Sequence, residues 1–233
     1  MKCEAMRGIS WGQILFDPDI IKDPRGDRRE HMGEIHEVIK MTDNRFVNLY
    51  NVKATSVHQT PVNYFVASRA KDVASMKITT GKNHPDGVVI YSLYGEKRDR
   101  VVLIRQYRYT IGRYVYEFPA GLVEPGEEFH SAAVREMREE TGLTFTPLTV
   151  DPSFERPFYT TVGLTDESCS TVFGFSEGEI SNQGEEDSEE IEIVLADREE
   201  VRRILREEET ALICAYMLMH FLEDEEDPFR FLR

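Results

Sequence analysis

Apolar positions along the chain change their spacing several times, and each change predicts an element. Over residues 45–69 aromatic and β-branched side chains concentrate, and Phe46-Val47-Asn48-Leu49-Tyr50 and Asn63-Tyr64-Phe65-Val66 suit the pleated surface of strands. They predict a small antiparallel unit. The polar run Gly81-Lys82-Asn83-His84-Pro85-Asp86-Gly87 then carries turn-forming residues and marks a boundary. Beyond it, residues 87–93 and 100–106 read as two strands joined by a turn containing Gly95, and a third short strand ends at Glu117. From Glu128 to Thr141 the spacing becomes helical, with Phe129, Ala133 and Met137 on one side and Gly142 placed to stop the helix. Further strands are expected around residues 145–150, 170–175 and 191–195. The acidic, glycine-containing loop at 177–190 reads as a solvated flank. Two helices follow, over 198–206 and 209–223; in the second, Leu212, Ala215, Tyr216, Met219 and Leu222 form a stripe expected to face the core.

The first 41 residues show no clear period and read as an N-terminal extension. The chain then divides into a small β subdomain over 42–85, which could serve in dimerisation, a main domain over 86–225 and a tail over 226–233. Strands interspersed with helices predict an α+β class in which helices cover a mixed sheet.

Composition narrows what such a protein does. Its 233 residues are 40% hydrophobic and 30% charged, the balance of a chain with a conventional buried core. The 43 acidic residues outnumber the 28 basic ones, for a net charge of −15, which argues against nucleic acid or anionic membrane as a partner and is compatible with bound cations. Cys3, Cys169 and Cys214 are odd in number and lack metal-ligand spacing, so a disulfide framework or zinc site is not expected. No apolar run is long enough to span a bilayer, and Met1-Lys2-Cys3-Glu4 lacks the start of a secretory signal. A soluble protein of the reducing cytoplasm fits these features.

The chemistry concentrates between Gly121 and Leu143. Gly121 is followed after five residues by Glu127, and after seven more by Arg135-Glu136-Met137-Arg138-Glu139-Glu140-Thr141-Gly142-Leu143. On a helix of ~3.6 residues per turn, Glu136, Glu139 and Glu140 share one face. Like charges so close repel, so the cluster requires a compensating partner, either nearby arginines or hard divalent cations. Mg²⁺ and Mn²⁺ prefer oxygen ligands, and a pyrophosphate supplies more of them. Glu127 can reach Arg135 and fix the preceding loop against the helix. The plain alternative is a surface helix whose glutamates pair with Arg135 and Arg138. Against it, the odds that so many fixed positions coincide by chance in a chain of this size are roughly one in ten million.

The pattern resembles the box of the Nudix hydrolase superfamily at each defining position. Upstream, Arg105-Gln106-Tyr107-Arg108 and Glu117-Phe118-Pro119-Ala120-Gly121 look like the branch of ADP-ribose pyrophosphatases and nucleotide-sugar hydrolases. That resemblance implies a Nudix-type α/β/α sandwich with a mixed sheet beside a small N-terminal antiparallel β subdomain. It implies metal-dependent hydrolysis of a nucleoside diphosphate sugar, first ADP-ribose to AMP and ribose 5-phosphate, with UDP-sugars and GDP-mannose as alternatives. Mg²⁺, or Mn²⁺, would be held by the Ala120 carbonyl, Glu136 and Glu140, with Glu139 as ligand or base. Arg105, Arg108 and Glu117 would contact substrate, while Gly121, Glu127, Arg135 and Gly142 would be structural. A glutamate on a downstream loop would assist the attacking water, and Glu167 is the candidate. Here Thr161-Val162-Gly163 stands where the branch commonly has Ser-Pro-Gly, which widens the expected substrates beyond ADP-ribose. A homodimer formed through the N-terminal strands is implied as well, with adenine stacked on one of Phe46, Tyr50, Tyr64 or Phe65. The second function class is a non-catalytic nucleotide-sugar sensor. Such a protein would usually carry a degraded box or a DNA-binding module, whereas this box is intact and the C-terminal helices lack a basic face.

Overall fold

The computed structural model describes residues 14–15, 33–181 and 190–233. Two compact units make up the chain: Met1–His84 together with Tyr159–Ser168, and Pro85–Phe158 together with Cys169–Arg233.

The first unit is an antiparallel sheet of β1 (Ile14–Leu15), β2 (Glu34–Lys40), β3 (Asn48–Thr55) and β4 (Pro61–Ser68), hydrogen-bonded in that order. Side chains alternate across it, so Val38, Tyr50 and Val52 fall on one face and are buried with Val73 and Met76. The Tyr50 hydroxyl donates to the Ala70 carbonyl at 2.6 Å. A short helix α1 (Lys77–Thr80) ends at Gly81, whose left-handed φ of 65° turns the chain out of the unit. Strand β2 lies inside the stretch whose period was unreadable. Its sequence, Glu-Ile-His-Glu-Val-Ile-Lys, buries only Val38 fully, so charge masks the alternation. The rest of the proposed extension, with Cys3, lies outside the described residues apart from β1.

The second unit contains β5 (Gly87–Tyr94), β6 (Arg100–Arg108), β7 (Arg113–Glu117), β8 (Ala120–Leu122), α2 (Phe129–Thr141), β9 (Thr144–Pro147) and α3 (Pro152–Glu155). A two-residue strand β10 (Phe158–Tyr159) marks where the chain leaves, and β11 (Ser168–Glu177) where it returns; β12 (Ile191–Ala196), α4 (Arg198–Glu207) and α5 (Leu212–Glu223) complete it. Strand β5 pairs in parallel with β11, and β6 is antiparallel to both β5 and β12. The sheet is therefore mixed.

Helices cover both faces. Val88, Ile90, Val102 and Val172 meet Ala132, Ala133 and Met137 of α2 on one side. Their neighbours Val89, Tyr91, Val101, Leu103 and Phe173 meet Val201 and Ile204 of α4 and Cys214, Leu218 and Phe221 of α5 on the other. This is the α/β/α arrangement. Strand β5 is buried along almost its whole length, as a strand covered on both faces must be. Met137, with no exposed surface, is the anchor of α2; its burial is worth roughly 1.5–3 kcal/mol relative to exposure.

The expected core stripe of α5 is corrected by the structure. Leu212, Tyr216 and Met219 are 71%, 61% and 53% exposed, Ala215 and Leu222 are partly buried, and the core face is instead Cys214, Leu218 and Phe221. Nearly every residue of Leu-Ile-Cys-Ala-Tyr-Met-Leu-Met-His-Phe-Leu is apolar, so two helical stripes compete and spacing alone cannot choose between them. Of the acidic loop after β11, residues 182–189 lie outside the described residues. Among those described, no helix is long and apolar enough to cross a membrane.

Candidate active site

Helix α2 is started and stopped by its own sequence. Glu128 is the N-cap, its carboxylate accepting from the backbone N–H groups of His130 (3.0 Å) and Ser131 (3.3 Å). Gly142 closes the other end with a φ of 73°, and the Ser181 N–H donates to the Thr141 carbonyl at 2.8 Å. Arg138 donates to the Gly142 carbonyl at 2.6 Å and so serves the C-terminus of the helix.

A backbone segment is laid against the acidic face. Strand β8 pairs with β5, Val88 opposite Gly121 and Val89 opposite Ala120. The Ala120 N–H donates to Glu140 Oε2 at 3.1 Å, and Glu140 is buried. A Cβ built on Gly121 would fall on the Glu136 carboxyl group, so any larger residue would make this carboxylate swing away from the strand.

Arg135 organises the remainder. Its Nε and one terminal nitrogen bind both oxygens of Glu127 at 3.0 Å each, the same terminal nitrogen donates to the Leu122 carbonyl at 3.0 Å, and the other reaches Glu136 Oε1 at 2.8 Å and Glu139 Oε2 at 3.0 Å. These carboxylates, Glu127 first, hold the guanidinium pKa far above its ordinary value, against the opposing effect of burial. Reciprocally, Arg135 and then the Glu124 N–H hold the Glu127 carboxyl below the usual carboxylate range. A single arginine thus ties the loop ahead of the helix to two of its three glutamates. Sequence put the Glu127 partnership within reach, and the hold on Glu136 and Glu139 is the pairing with Arg135 that the plain reading of a surface helix expected, while Arg138 serves the Gly142 carbonyl.

At the first turn, His130 offers Nδ1 to Glu128 (2.8 Å) and Nε2 to Glu155 of α3 (3.1 Å). Burial opposes the imidazolium, yet the two carboxylates raise its pKa above the ordinary value. Burial in turn pushes the Glu155 carboxyl up, His130 only partly offsetting it. No motif singled out this array, because Glu155 stands 25 residues from its partner.

The two arginines of the upstream motif are separated by the sheet. Arg105 shares a strand face with Leu103, on the α4 and α5 side; it pairs with Glu192 at 3.0 Å and lies 4.3 Å over the Tyr114 ring. Arg108, by strand alternation, projects from the α2 side, where its Nε donates to Glu117 Oε2 at 2.9 Å and a terminal nitrogen binds the same oxygen. Glu167 belongs to the first unit, where it accepts from Arg69 and Thr160. Of the four aromatics considered for stacking, Tyr50 is fully buried, while Phe46, Tyr64 and Phe65 are exposed.

Among the described residues, no three His, Cys, Asp or Glu side chains are already gathered as a metal pocket. Arg135 instead holds Glu136 and Glu139 on one terminal nitrogen, and the Ala120 N–H holds Glu140. The donor chemistry still fits a hard divalent cation, since Glu136, Glu139 and Glu140 offer only oxygen, with no thiol or imidazole among them. Gly121, with no side chain of its own, leaves room beside the strand for the Glu136 carboxyl group.

The model of the NUDIX domain matches residues 83–220, more than half of the chain. The chain belongs to the NUDIX family. An ADP-ribose pyrophosphatase of Bacillus subtilis is 37% identical to this NUDIX chain over 84 residues, 36% of this chain and 42% of the relative. An ADP-ribose pyrophosphatase of Mycobacterium tuberculosis is 34% identical over 112 residues, 46% of this chain and 52% of the relative. This chain thus spans about half the length of such relatives. A solved structure described as an ADP compounds hydrolase superposes with a TM-score of 0.51 at 17% identity, over 76% of this chain and 84% of that one, and shows the shared fold.

Proposed function

We propose that this NUDIX protein hydrolyses the pyrophosphate of a nucleoside diphosphate sugar, with ADP-ribose, giving AMP and ribose 5-phosphate, as its first substrate. The observation that carries the reading is the oxygen-only face of Glu136, Glu139 and Glu140, held against a strand whose Gly121 leaves room for the Glu136 carboxyl group. The activity named for the Bacillus and Mycobacterium relatives supports the substrate class. UDP-sugars and GDP-mannose remain within the proposal because Thr161-Val162-Gly163 departs from the branch pattern.

Glu136, Glu140 and the Ala120 carbonyl would hold Mg²⁺, or Mn²⁺ in its place, with Glu139 as a further ligand or base. When bound, the cation neutralises pyrophosphate charge and lowers the pKa of an attacking water. Glu140 is fixed for this task by the Ala120 N–H, and Arg135 sets the spread of Glu136 and Glu139. Arg108, on the α2 face, is better placed than Arg105 to offer a guanidinium to phosphate oxygens, and Glu117 orients it. Glu167 is proposed as the carboxylate that directs the water. The apolar surface of the first unit, with Phe46 at 66% and Phe65 at 51% exposed and Met41, Val47 and Leu49 also exposed, supports a homodimer formed through its sheet. The proposed setting is the cytoplasm.

A panel of ADP-ribose, UDP-glucose and GDP-mannose with Mg²⁺ tests the reading. ADP-ribose should be turned over fastest, with the products identified as AMP and ribose 5-phosphate. Inactivity toward all three would overturn it.

A further inference from the structure

Glu167 sits on a segment that runs beside β4 almost residue for residue. The Tyr64 hydroxyl donates to the Gly163 carbonyl at 2.6 Å, and the Ala67 N–H donates to the Leu164 carbonyl at 3.0 Å. Ala67 also bridges Thr165 in parallel register, and Ser68 Oγ donates to Asp166 Oδ2 at 2.9 Å. Arg69 then meets Glu167, its Nε and Nη2 lying 3.3 and 3.2 Å from Oε1. The other carboxylate oxygen accepts from Thr160 Oγ1 at 2.8 Å, while the Thr160 N–H donates to the Glu167 carbonyl at 3.0 Å.

The contacts divide by what they grip. Tyr64 and Ala67 hold the backbone of the segment, and Ser68 holds its neighbour Asp166. Arg69 touches only the head of the Glu167 side chain. The backbone of the segment is already stapled by neutral donors, and the guanidinium adds a grip on the direction of one carboxylate. A glutamate otherwise spreads over several rotamers, and a charge-assisted bond to one oxygen with a hydroxyl on the other selects among them. Reacting groups misplaced by about 1 Å lose roughly a hundredfold in rate, so such selection matters for a group that directs water.

We propose that Arg69 is the positioning residue for Glu167, with Thr160 as the second point of attachment; this rests on the reading of Glu167 as the water-directing carboxylate. Steady-state kinetics on the full chain with ADP-ribose and Mg²⁺ test it with Arg69→Ala, Arg69→Lys, Glu167→Gln and the double variant Arg69→Ala/Glu167→Gln. Arg69→Ala should lower kcat by roughly tenfold to a hundredfold with KM little changed, and Arg69→Lys should recover part of the loss. The double variant should be no slower than Glu167→Gln alone, because Arg69 then has no carboxylate to direct. Wild-type kcat in Arg69→Ala, or losses that add in the double variant, would overturn the role of Arg69 while leaving that of Glu167 intact. Wild-type turnover in Glu167→Gln would instead remove the underlying reading, and the positioning role with it.

Discussion

Two helices of the second unit each gather glutamates around one arginine. On α4, Arg203 binds both oxygens of Glu200 at 3.0 and 2.8 Å, Glu208 at 2.6 Å and Glu207 at 3.9 Å. On α2, Arg135 binds Glu127, Glu136 and Glu139 at similar lengths. In both places the guanidinium pKa is driven up by its carboxylates. The surroundings differ. Around Arg203, Glu207 stays 64% exposed and, among the described residues, the other side chain bound is the Tyr116 hydroxyl at 3.3 Å. Around Arg135, a backbone strand lies against the cluster, Glu136 is only 14% exposed, and Glu140 is buried on a peptide N–H. An acidic helix face is ordinary; one pressed against a glycine-bearing strand brings together oxygen donors of the kind that the proposed cation would take.

The largest expected difference is in turnover. Glu140→Gln should lower kcat/KM for ADP-ribose by at least about a hundredfold without loss of folding by circular dichroism, whereas Glu200→Gln should leave it unchanged. Equal effects would erase the distinction between the helices. The next is a metal response. Arg135→Ala leaves Glu136 and Glu139 without their countercharge, and should cost roughly 1 kcal/mol, or about 2–4 °C in Tm. Mg²⁺ should restore much of that loss because it replaces the lost positive charge. Arg203→Ala should also lower Tm, but calorimetry should find no recovery with Mg²⁺; a matched recovery would mean that the α2 cluster has no special affinity.

The smallest difference concerns pH at the helix starts. Helix α4 is capped by Asp197, whose carboxylate accepts from the Glu200 N–H at 2.9 Å, and no histidine is involved. Helix α2 begins with His130 between Glu128 and Glu155, where the carboxylates raise its pKa against burial. A histidine raised on folding stabilises fully below its unfolded pKa of about 6.5, and that contribution fades as pH climbs through the folded value. Glu155, pushed up by burial, acts in the same direction. Tm should therefore fall, as pH rises above about 6.5, by more in the wild type than in His130→Asn. A parallel decline in both would show that the array does not hold a proton.

The limits of α2 were legible because local chemistry sets them: Glu128 before an apolar stripe, Gly142 after it. Strands β5 and β6 declared themselves by apolar runs on either side of Gly95, which adopts a φ of 75° in the turn. The shared face of Glu136, Glu139 and Glu140 followed from helical spacing alone. Less local facts were not legible. The burial side of α5 depends on the sheet beneath it, since both stripes are apolar. The separation of Arg105 from Arg108 depends on strand parity, and the partnership of Arg69 with Glu167 spans 98 residues. The close approach of Gly121 to Glu136 needs the register of β8 on β5, which no count of residues supplies.

Residues Tyr159–Ser168 leave the second unit and are stapled to β4 before the chain returns. The two units are consequently interleaved rather than strung in series. A graft that exchanged the first 84 residues for those of another protein would leave every residue of the second unit in place, yet strip this excursion of Tyr64, Ala67, Ser68 and Arg69. These units cannot be traded as cassettes: whatever replaces the N-terminal sheet must also bring an edge strand matched to ten residues encoded far downstream.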